Sequence, residues 1–149
     1  MSYNDLRKGR RSEPRREYLV TSVTFERRPI FADLYCARIF IRELRRIENE
    51  ELCRWLAWVV MPDHFHGLLS LGENESLSSL MRYLKARSAR KIQRYRGVTG
   101  KVWQPNFHDR ALRKEDQRIA IARYIVANPL RAGLVKTIGG YPNWDSIWL

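Results

Sequence analysis

Apolar and polar positions recur with two different periods in the first half of the chain, and the period predicts the type of each element. Residues 17–25 are rich in β-branched and aromatic types, which predicts a strand. After Asp33, a residue suited to capping a helix, apolar side chains recur at spacings of three and four as far as residue 47, which predicts an amphipathic helix ending near residues 48 and 49. Residues 51–61 and 64–71 then predict two strands joined by a turn at Pro62 and Asp63.

The second half of the chain predicts two more helices around an extended segment. Ser76 is expected to open a helix that runs to about Arg96 and is stopped by the glycines that follow. Residues 101–113 contain Pro105 and predict short extended pieces. A third helix is expected over residues 115–128, where an Asn-Pro pair ends it. Its predicted core face consists of Ile119, Ala122, Ile125 and Val126.

The order of these elements predicts the fold class. Strand, helix, strand, strand, helix, extended segment and helix are typical of an α+β domain with one antiparallel sheet covered by helices. A ferredoxin-like arrangement fits the first five elements. We therefore expect a flexible basic arm over residues 1–16 and a single domain over residues 17–149, whose aromatic C-terminal segment folds back onto the body.

The net charge of the chain indicates the kind of partner that it binds. Lys and Arg total 28 against 16 Asp and Glu, which gives a net charge of +12 and a pI of about 10.3. Such an excess in a small domain favours an anionic polymer, and nucleic acid fits better than a membrane because the apolar helix faces are needed for the core. Cys36 and Cys53 have no metal-site spacing and predict reduced, packed thiols in a cytoplasmic protein.

The second predicted helix is the most basic part of the chain. Residues 82–96 carry seven basic side chains and no acidic one. A solvated surface usually mixes the two signs, so this helix predicts phosphate contacts; a cationic surface without a specific partner is the alternative. Nearby aromatic rings are candidates to stack on unpaired bases, although such rings more often pack in a core. The candidate DNA contacts of this region are Arg82, Tyr83, Arg87, Arg90, Arg94 and Trp103.

Two of the chain's three histidines, His64 and His66, stand on either side of Phe65 in a predicted strand. Residues two apart in a strand point to the same face, so both imidazoles can converge on one metal ion while Phe65 points into the core. Two histidines at this spacing also occur by chance. Unpaired imidazoles are nevertheless costly to bury in an apolar strand, so the pair predicts a metal site whose third ligand comes from another element.

The third predicted helix carries a tyrosine and an asparagine whose side chains project from the same side of the helix. Tyr124 and Asn128 are four residues apart, so both project from one side of the helix, away from its core face. The alternative interpretation is a surface aromatic residue and a helix-ending asparagine. Together with the histidines, the two residues predict a phenol beside a metal ion and a basic groove, which is an arrangement suited to covalent attack on a phosphodiester.

Three stretches of the sequence resemble one known family. "WVVMPDHFHGLLSL", residues 58–71, resembles the HUH motif (two histidines around a hydrophobic residue) of the single-tyrosine transposases of the IS200/IS605 type. "VWQPNFHDRALR" and "RYIVANPLRAGLV" resemble the REP-associated tyrosine transposases, a bacterial branch named after repetitive extragenic palindromes. The similarity covers roughly residues 17–148, with the motifs in the expected order.

The resemblance implies an HUH nuclease core and a specific chemistry. Tyr124 would be the nucleophile, and His64, His66 and Asn128 would bind Mg²⁺ or Mn²⁺, although relatives of the insertion-sequence kind often have glutamine at the position of Asn128. The implied substrate is single-stranded DNA, often folded as a hairpin, which is cut and rejoined through a 5′-phosphotyrosine link. A DNA transposase of this kind would be cytoplasmic and associated with the nucleoid, as a monomer or a homodimer.

Other residues are candidates for DNA contact near the cut. His108 is expected to be structural or a DNA contact, with a metal ligand as the weaker alternative. The arm residues that are candidates to read a guide sequence are Arg10, Arg11, Arg15 and Arg16.

Three alternatives remain open at the level of sequence. Tyr83 and Tyr95 are rival nucleophiles. The protein is alternatively a DNA-binding module without catalysis, or a metal hydrolase that activates water, for which Asp63 is the nearby acid.

Overall fold

A single antiparallel sheet organises the molecule. The computed structural model describes residues 16–113 and 115–149, so the arm candidates Arg10, Arg11 and Arg15 lie outside the described residues. The strand order is β4-β1-β3-β2-β5, whose first four members have the ferredoxin-like order, and the predicted α+β class is confirmed. The strands are β1 (Glu17–Val23), β2 (Cys53–Met61), β3 (His64–Leu71), β4 (His108–Ala111) and β5 (Trp144–Ser146).

The helices begin and end close to the predicted positions. They are α1 (Leu34–Asn49), α2 (Leu77–Arg96), α3 (Glu115–Val126) and the short α4 (Asn128–Arg131). The side chain of Asp33 caps α1 by accepting from two backbone N–H groups, and that of Ser76 caps α2. Gly97 ends α2 with a φ of 65°, a conformation that glycine adopts without strain. Within residues 16–113 and 115–149, no helix is long and apolar enough to cross a membrane.

The sheet is covered on both faces, and the alternation of strand residues decides which core each side chain enters. Helices α1 and α2 pack on one face, where Phe65 of β3 is buried. Helix α3 packs on the other face, where Leu68 of β3 is buried. A bulge in β2 puts Leu56 and Ala57 on the α3 face together. The basic helix α2 and the tyrosine-bearing helix α3 therefore lie on opposite faces of the sheet.

Trp103 is a core residue and not a platform for a nucleobase. Only 6% of it is exposed, and its ring centroid lies 5.3 Å from that of Phe31 and 5.2 Å from that of Phe40. Its indole N–H donates a hydrogen bond to the hydroxyl of Ser88 at 3.0 Å. Because neither face of the ring is accessible, the prediction that Trp103 stacks on DNA is wrong.

The C-terminal segment folds back as predicted. Strand β5 pairs with β2 at the edge of the sheet, and the Tyr141 hydroxyl donates to the carbonyl of Val60 at 2.6 Å. Cys36 and Cys53 are buried free thiols, in agreement with the sequence.

Helix α3 differs from its prediction in two respects. It ends at Val126, two residues early, and Pro129, which has no N–H to continue the ladder, lies buried in the first turn of α4. Ile119, expected in the core, is 39% exposed because it lies at the rim of a cavity that Trp148 and Leu149 of the C-terminal segment also line.

A buried carboxylate joins α1 to α2. Glu43 has no exposed surface, and it accepts hydrogen bonds from Arg87 Nε at 3.0 Å and from Lys91 Nζ. Burial alone would raise the pKa of Glu43, but the two cations outweigh it and hold the pKa below its usual value. The group is therefore a carboxylate at neutral pH.

Removal of this carboxylate should destabilise the fold. We expect Glu43→Gln to lower the free energy of unfolding by about 2–3 kcal/mol, less than for a fully buried pair because both cations are partly exposed. Chemical denaturation at neutral pH measures the loss. Because the pKa of Glu43 is lower in the folded state, the difference from wild type should be full above about pH 4.5 and fade as the pH falls through the folded value.

Glu50→Gln is the matched control for this loss. Glu50 follows the last residue of α1, is exposed, and accepts a hydrogen bond from the Tyr83 hydroxyl at 3.4 Å. Equal stability losses for the two variants would contradict the role given to Glu43.

Candidate active site

The two histidines lie together on the α3 face of the sheet. Alternation along β3 puts His64 and His66 on this face and Phe65, fully buried, on the other. The imidazole centroids are 4.7 Å apart, with the rings at 77° to each other. A Cβ at Gly67 would lie 2.6 Å from ring atoms of Phe65 and Trp55, so glycine is needed after the pair for this anchor to pack.

His64 is oriented by the residue before it. Its Nδ1 lies 2.7 Å from Oδ1 of Asp63, whose Oδ2 accepts from Arg27 at 3.0 Å. Burial alone would raise the pKa of Asp63, but the hydrogen bond and charge of His64 and Arg27 hold it below its usual value. A carboxylate only accepts, so Nδ1 of His64 carries the proton and Nε2 is the nitrogen that faces a ligand.

His66 is oriented from the neighbouring strand. Thr21 of β1 pairs directly with it, and the Thr21 hydroxyl lies 2.8 Å from its Nδ1. Burial, followed by the charges of His64 and Arg131, lowers the pKa of His66 to about 4. His66 is therefore a neutral imidazole at pH 7, which is the form that binds metals, and its Nε2 remains for a ligand.

The histidine pair fits a divalent metal ion whose further ligands are oxygen atoms that do not belong to Asp or Glu side chains. In the described part of the chain, no group of three or more His, Cys, Asp or Glu side chains is placed to hold a metal. Asn128, half-buried at the start of α4 and four residues after Tyr124, carries an amide oxygen that suits such a role. Imidazole and amide ligands favour Mn²⁺ over Mg²⁺.

Tyr124 faces the same region from α3. Its side chain is 62% exposed, and it lines a cavity of about 520 Å³ together with Thr21 and His108. Thr21 is the residue that hydrogen-bonds His66, so the cavity adjoins the histidine pair. The guanidinium carbon of Arg131 lies 3.6 Å from the centroid of the Tyr124 ring. The phenol and the imidazoles therefore lie on the same face of the sheet, with Thr21 between the cavity and His66.

The topology separates the rival tyrosines from the histidines. Tyr83 and Tyr95 are on α2, across the sheet, and their hydroxyls contact carboxylates at the two ends of α1. Among residues 16–113 and 115–149, one further tyrosine, Tyr141, packs on the histidine face. Its hydroxyl donates a hydrogen bond to a backbone carbonyl, so it is engaged within the protein. Among the described residues, Tyr124 is thus the exposed tyrosine on the histidine face of the sheet.

The basic groove expected beside the phenol is not formed by α2, because α2 lies on the opposite face of the sheet. The Arg87 guanidinium is paired with Glu43 and stands 5.3 Å from the Tyr83 ring, so it is engaged within the protein. The exposed arginines of this helix that form no salt bridge with the described residues are Arg82, Arg90, Arg94 and Arg96.

The remaining sequence candidates are placed around the sheet. His108 of β4 pairs with Thr21, which puts it on the histidine face but two strands from His66, at about 10 Å. It is exposed, and the separation of about 10 Å is between the Cα atoms. Arg16 is half-buried just before β1, and its carbonyl accepts from the N–H of Leu71.

Sequence reasoning missed three residues of this region. Asp63 was considered only as a base for water, whereas it orients His64, a role that its adjacency in sequence signals. Thr21 meets His66 only through strand register, and Arg131 meets Tyr124 only through the continuation of the helix beyond Asn128. The last two positions carry no pattern in the sequence that marks them.

Comparison with known proteins identifies relatives. The family model described as "Transposase IS200 like" matches residues 14–128. A REP-associated tyrosine transposase of Escherichia coli K12 is 32% identical over 87 residues, which are 58% of this chain and 50% of that protein. The chain therefore matches only about half the length of this curated relative.

Solved structures share the fold. A structure described as the REP-associated tyrosine transposase bound to a REP hairpin superposes with a TM-score of 0.76 at 24% identity, covering 97% of this chain and 82% of that one. A Deinococcus radiodurans protein assigned as a transposase gives a TM-score of 0.57 at 27% identity, covering 79% of this chain and 94% of that one. The first likeness establishes the fold, and its identity is too low to establish more.

Proposed function

Because the chain belongs to the IS200-like transposase family, we propose that it is a metal-dependent endonuclease and strand transferase for single-stranded DNA that carries hairpins. The observation that carries this proposal is the arrangement of His64 and His66. Each has Nδ1 engaged by a second residue and Nε2 left for a ligand, next to the cavity that Tyr124 lines. A site for water-activating hydrolysis is less well supported, because Asp63 is held between His64 and Arg27.

The reaction exchanges one phosphodiester for another. The Tyr124 oxygen attacks the scissile phosphorus, the bond from phosphorus to the 3′-oxygen breaks, and the DNA is left with a 5′-phosphotyrosine link and a free 3′-hydroxyl. The phenol proton passes to solvent, and the leaving 3′-oxygen takes up a proton. Since bonds of the same kind are broken and formed, a 3′-hydroxyl can reverse the reaction without ATP.

The residues of the chain have distinct roles in this scheme. A divalent ion, Mg²⁺ or Mn²⁺, held by His64, His66 and Asn128 would polarise the scissile phosphate and favour the phenolate. Asp63 and Thr21 keep the imidazoles in the orientation and tautomer that this requires. The exposure of Tyr124 allows a DNA strand to reach its hydroxyl.

The DNA would contact more than one face of the protein. The relative described as bound to a REP hairpin supports hairpin DNA as the partner. The exposed arginines of α2 would contact DNA away from the cut, while His108 and the arm residues Arg10, Arg11, Arg15 and Arg16 would act nearer to it. The protein would act as a monomer or as a homodimer. A DNA substrate implies a location on the nucleoid.

Covalent capture tests the function. The protein is incubated with labelled single-stranded hairpin DNA that has randomised flanks, with Mn²⁺ or with EDTA, and is run on a denaturing gel. A protein–DNA band that requires Mn²⁺ is expected. Binding without any covalent band would favour the alternative function, a DNA-binding protein without catalysis, and cleavage without a covalent link would favour hydrolysis by water.

The exposed arginines of α2 should control affinity rather than chemistry. Arg90→Glu with Arg94→Glu should weaken hairpin binding at low salt and lower the slope of log affinity against log salt by roughly 1 per lost phosphate contact. Titration at several salt concentrations measures this slope. Arg54→Glu is the matched control, because Arg54 is exposed at the end of β2 remote from His64. Equal slopes for wild type and the α2 variant would contradict phosphate contact by this helix.

A further inference from the structure

Arg131 lies unusually close to the candidate nucleophile. Its guanidinium carbon is 3.6 Å from the centroid of the Tyr124 ring, whereas the other described pairs of a cation with a ring are 5.3–5.6 Å apart. A separation of 3.6 Å is direct stacking on the face of the phenol. Tyr124 is 62% exposed, so this stack is a main contact of its ring with the described residues.

The backbone between the two residues explains the stack. Ala127 separates α3 from α4 but keeps helical torsion angles, with φ −83° and ψ −2°. Tyr124, Asn128 and Arg131 are therefore spaced by four and three residues along one helical stripe. The buried Pro129 and the hydrogen bond from the Arg131 N–H to the carbonyl of Ala127, at 3.0 Å, hold the turn that carries the arginine.

The charge of Arg131 is available to a ligand. Its side chain is exposed and forms no salt bridge with the residues that the structure describes. Stacking uses the face of the guanidinium, which leaves the N–H groups at its edge free to bind two oxygens of one phosphate. Those donors are next to the phenol that the guanidinium covers.

We propose that Arg131 binds the scissile phosphate and orients it against Tyr124, while its stack holds the phenol ring in place. The inference rests on the proposed function and adds a phosphate-binding residue to it. Lysine cannot replace arginine in this role, because an ammonium group neither stacks in this way nor offers a planar pair of donors.

Single-turnover kinetics with saturating hairpin DNA tests the role. Arg131→Ala should slow the formation of the covalent complex by about 100-fold, as the loss of one preorganised donor to a reacting group does, and Arg131→Lys should recover little of the rate. Millimolar guanidinium chloride should partly restore Arg131→Ala, while the same concentration of sodium chloride should not. Arg123→Ala, which removes the same charge from an exposed position on α3, is the matched control and should leave the rate within a few-fold of wild type.

A second measurement does not need turnover. In the Tyr124→Phe protein labelled with ¹⁵N-arginine, the Nε–H resonance of Arg131, assigned by its absence from Arg131→Lys, should shift when hairpin DNA is added. If the wild-type protein formed no covalent complex, the proposed function would be overturned. The shift of the Arg131 resonance would still report contact with DNA phosphate in that case. An unshifted resonance, full activity of Arg131→Lys, or an equal loss in Arg123→Ala would overturn the role of Arg131.

Discussion

Tyr124→Phe should abolish the covalent protein–DNA complex and leave hairpin binding within a few-fold of wild type. The hydroxyl is the atom that would become bonded to phosphorus, so its removal eliminates the reaction rather than slowing it. The change should not harm the fold, because the side chain is 62% exposed and lies outside both hydrophobic cores. A denaturing gel measures the complex, and a native binding titration measures the affinity.

Tyr95→Phe is the control for this result. Tyr95 is also exposed, but it lies on α2 across the sheet and its hydroxyl contacts Asp33 at 3.3 Å. This variant should form the covalent complex at the wild-type level. A complex that survives Tyr124→Phe and disappears in Tyr95→Phe would reassign the nucleophile and would contradict the site assembled on the α3 face.

The parts of the fold that could be predicted from sequence are those set by local spacing. The caps at Asp33 and Ser76, the helix end at Gly97 and the opposite directions of Phe65 and His66 follow from residue types and from periods of two and 3.6 residues. These features do not depend on which elements become neighbours. The family resemblance then added roles that spacing alone left open.

The parts that could not be predicted depend on which face of the sheet each helix covers. The helix α2 was predicted correctly, but nothing in the spacing of its basic residues indicates that α2 and α3 lie on opposite faces of the sheet. Likewise, the sequence does not distinguish Arg87 from the other arginines of α2, because its partner Glu43 belongs to a different helix. Trp103 lies in a segment without periodicity, so its burial could not be predicted from the sequence.

His66→Ala should remove both metal binding and cleavage. Changes to residues that merely orient a metal ligand lower metal affinity or activity by about 10–100-fold, so the loss of a ligand should lower the covalent rate by more than about 100-fold.

Thr21→Val, which removes only the hydrogen-bond partner of His66 Nδ1, should have the smaller effect and should be partly rescued by more Mn²⁺. His108→Ala removes an imidazole from the same face, about 10 Å away, and should leave Mn²⁺ affinity unchanged. Calorimetric titration with Mn²⁺ gives the affinities directly. If His66→Ala bound Mn²⁺ as wild type does, the ion would be held elsewhere, and the pairing of His64 with His66 around it would have to be abandoned.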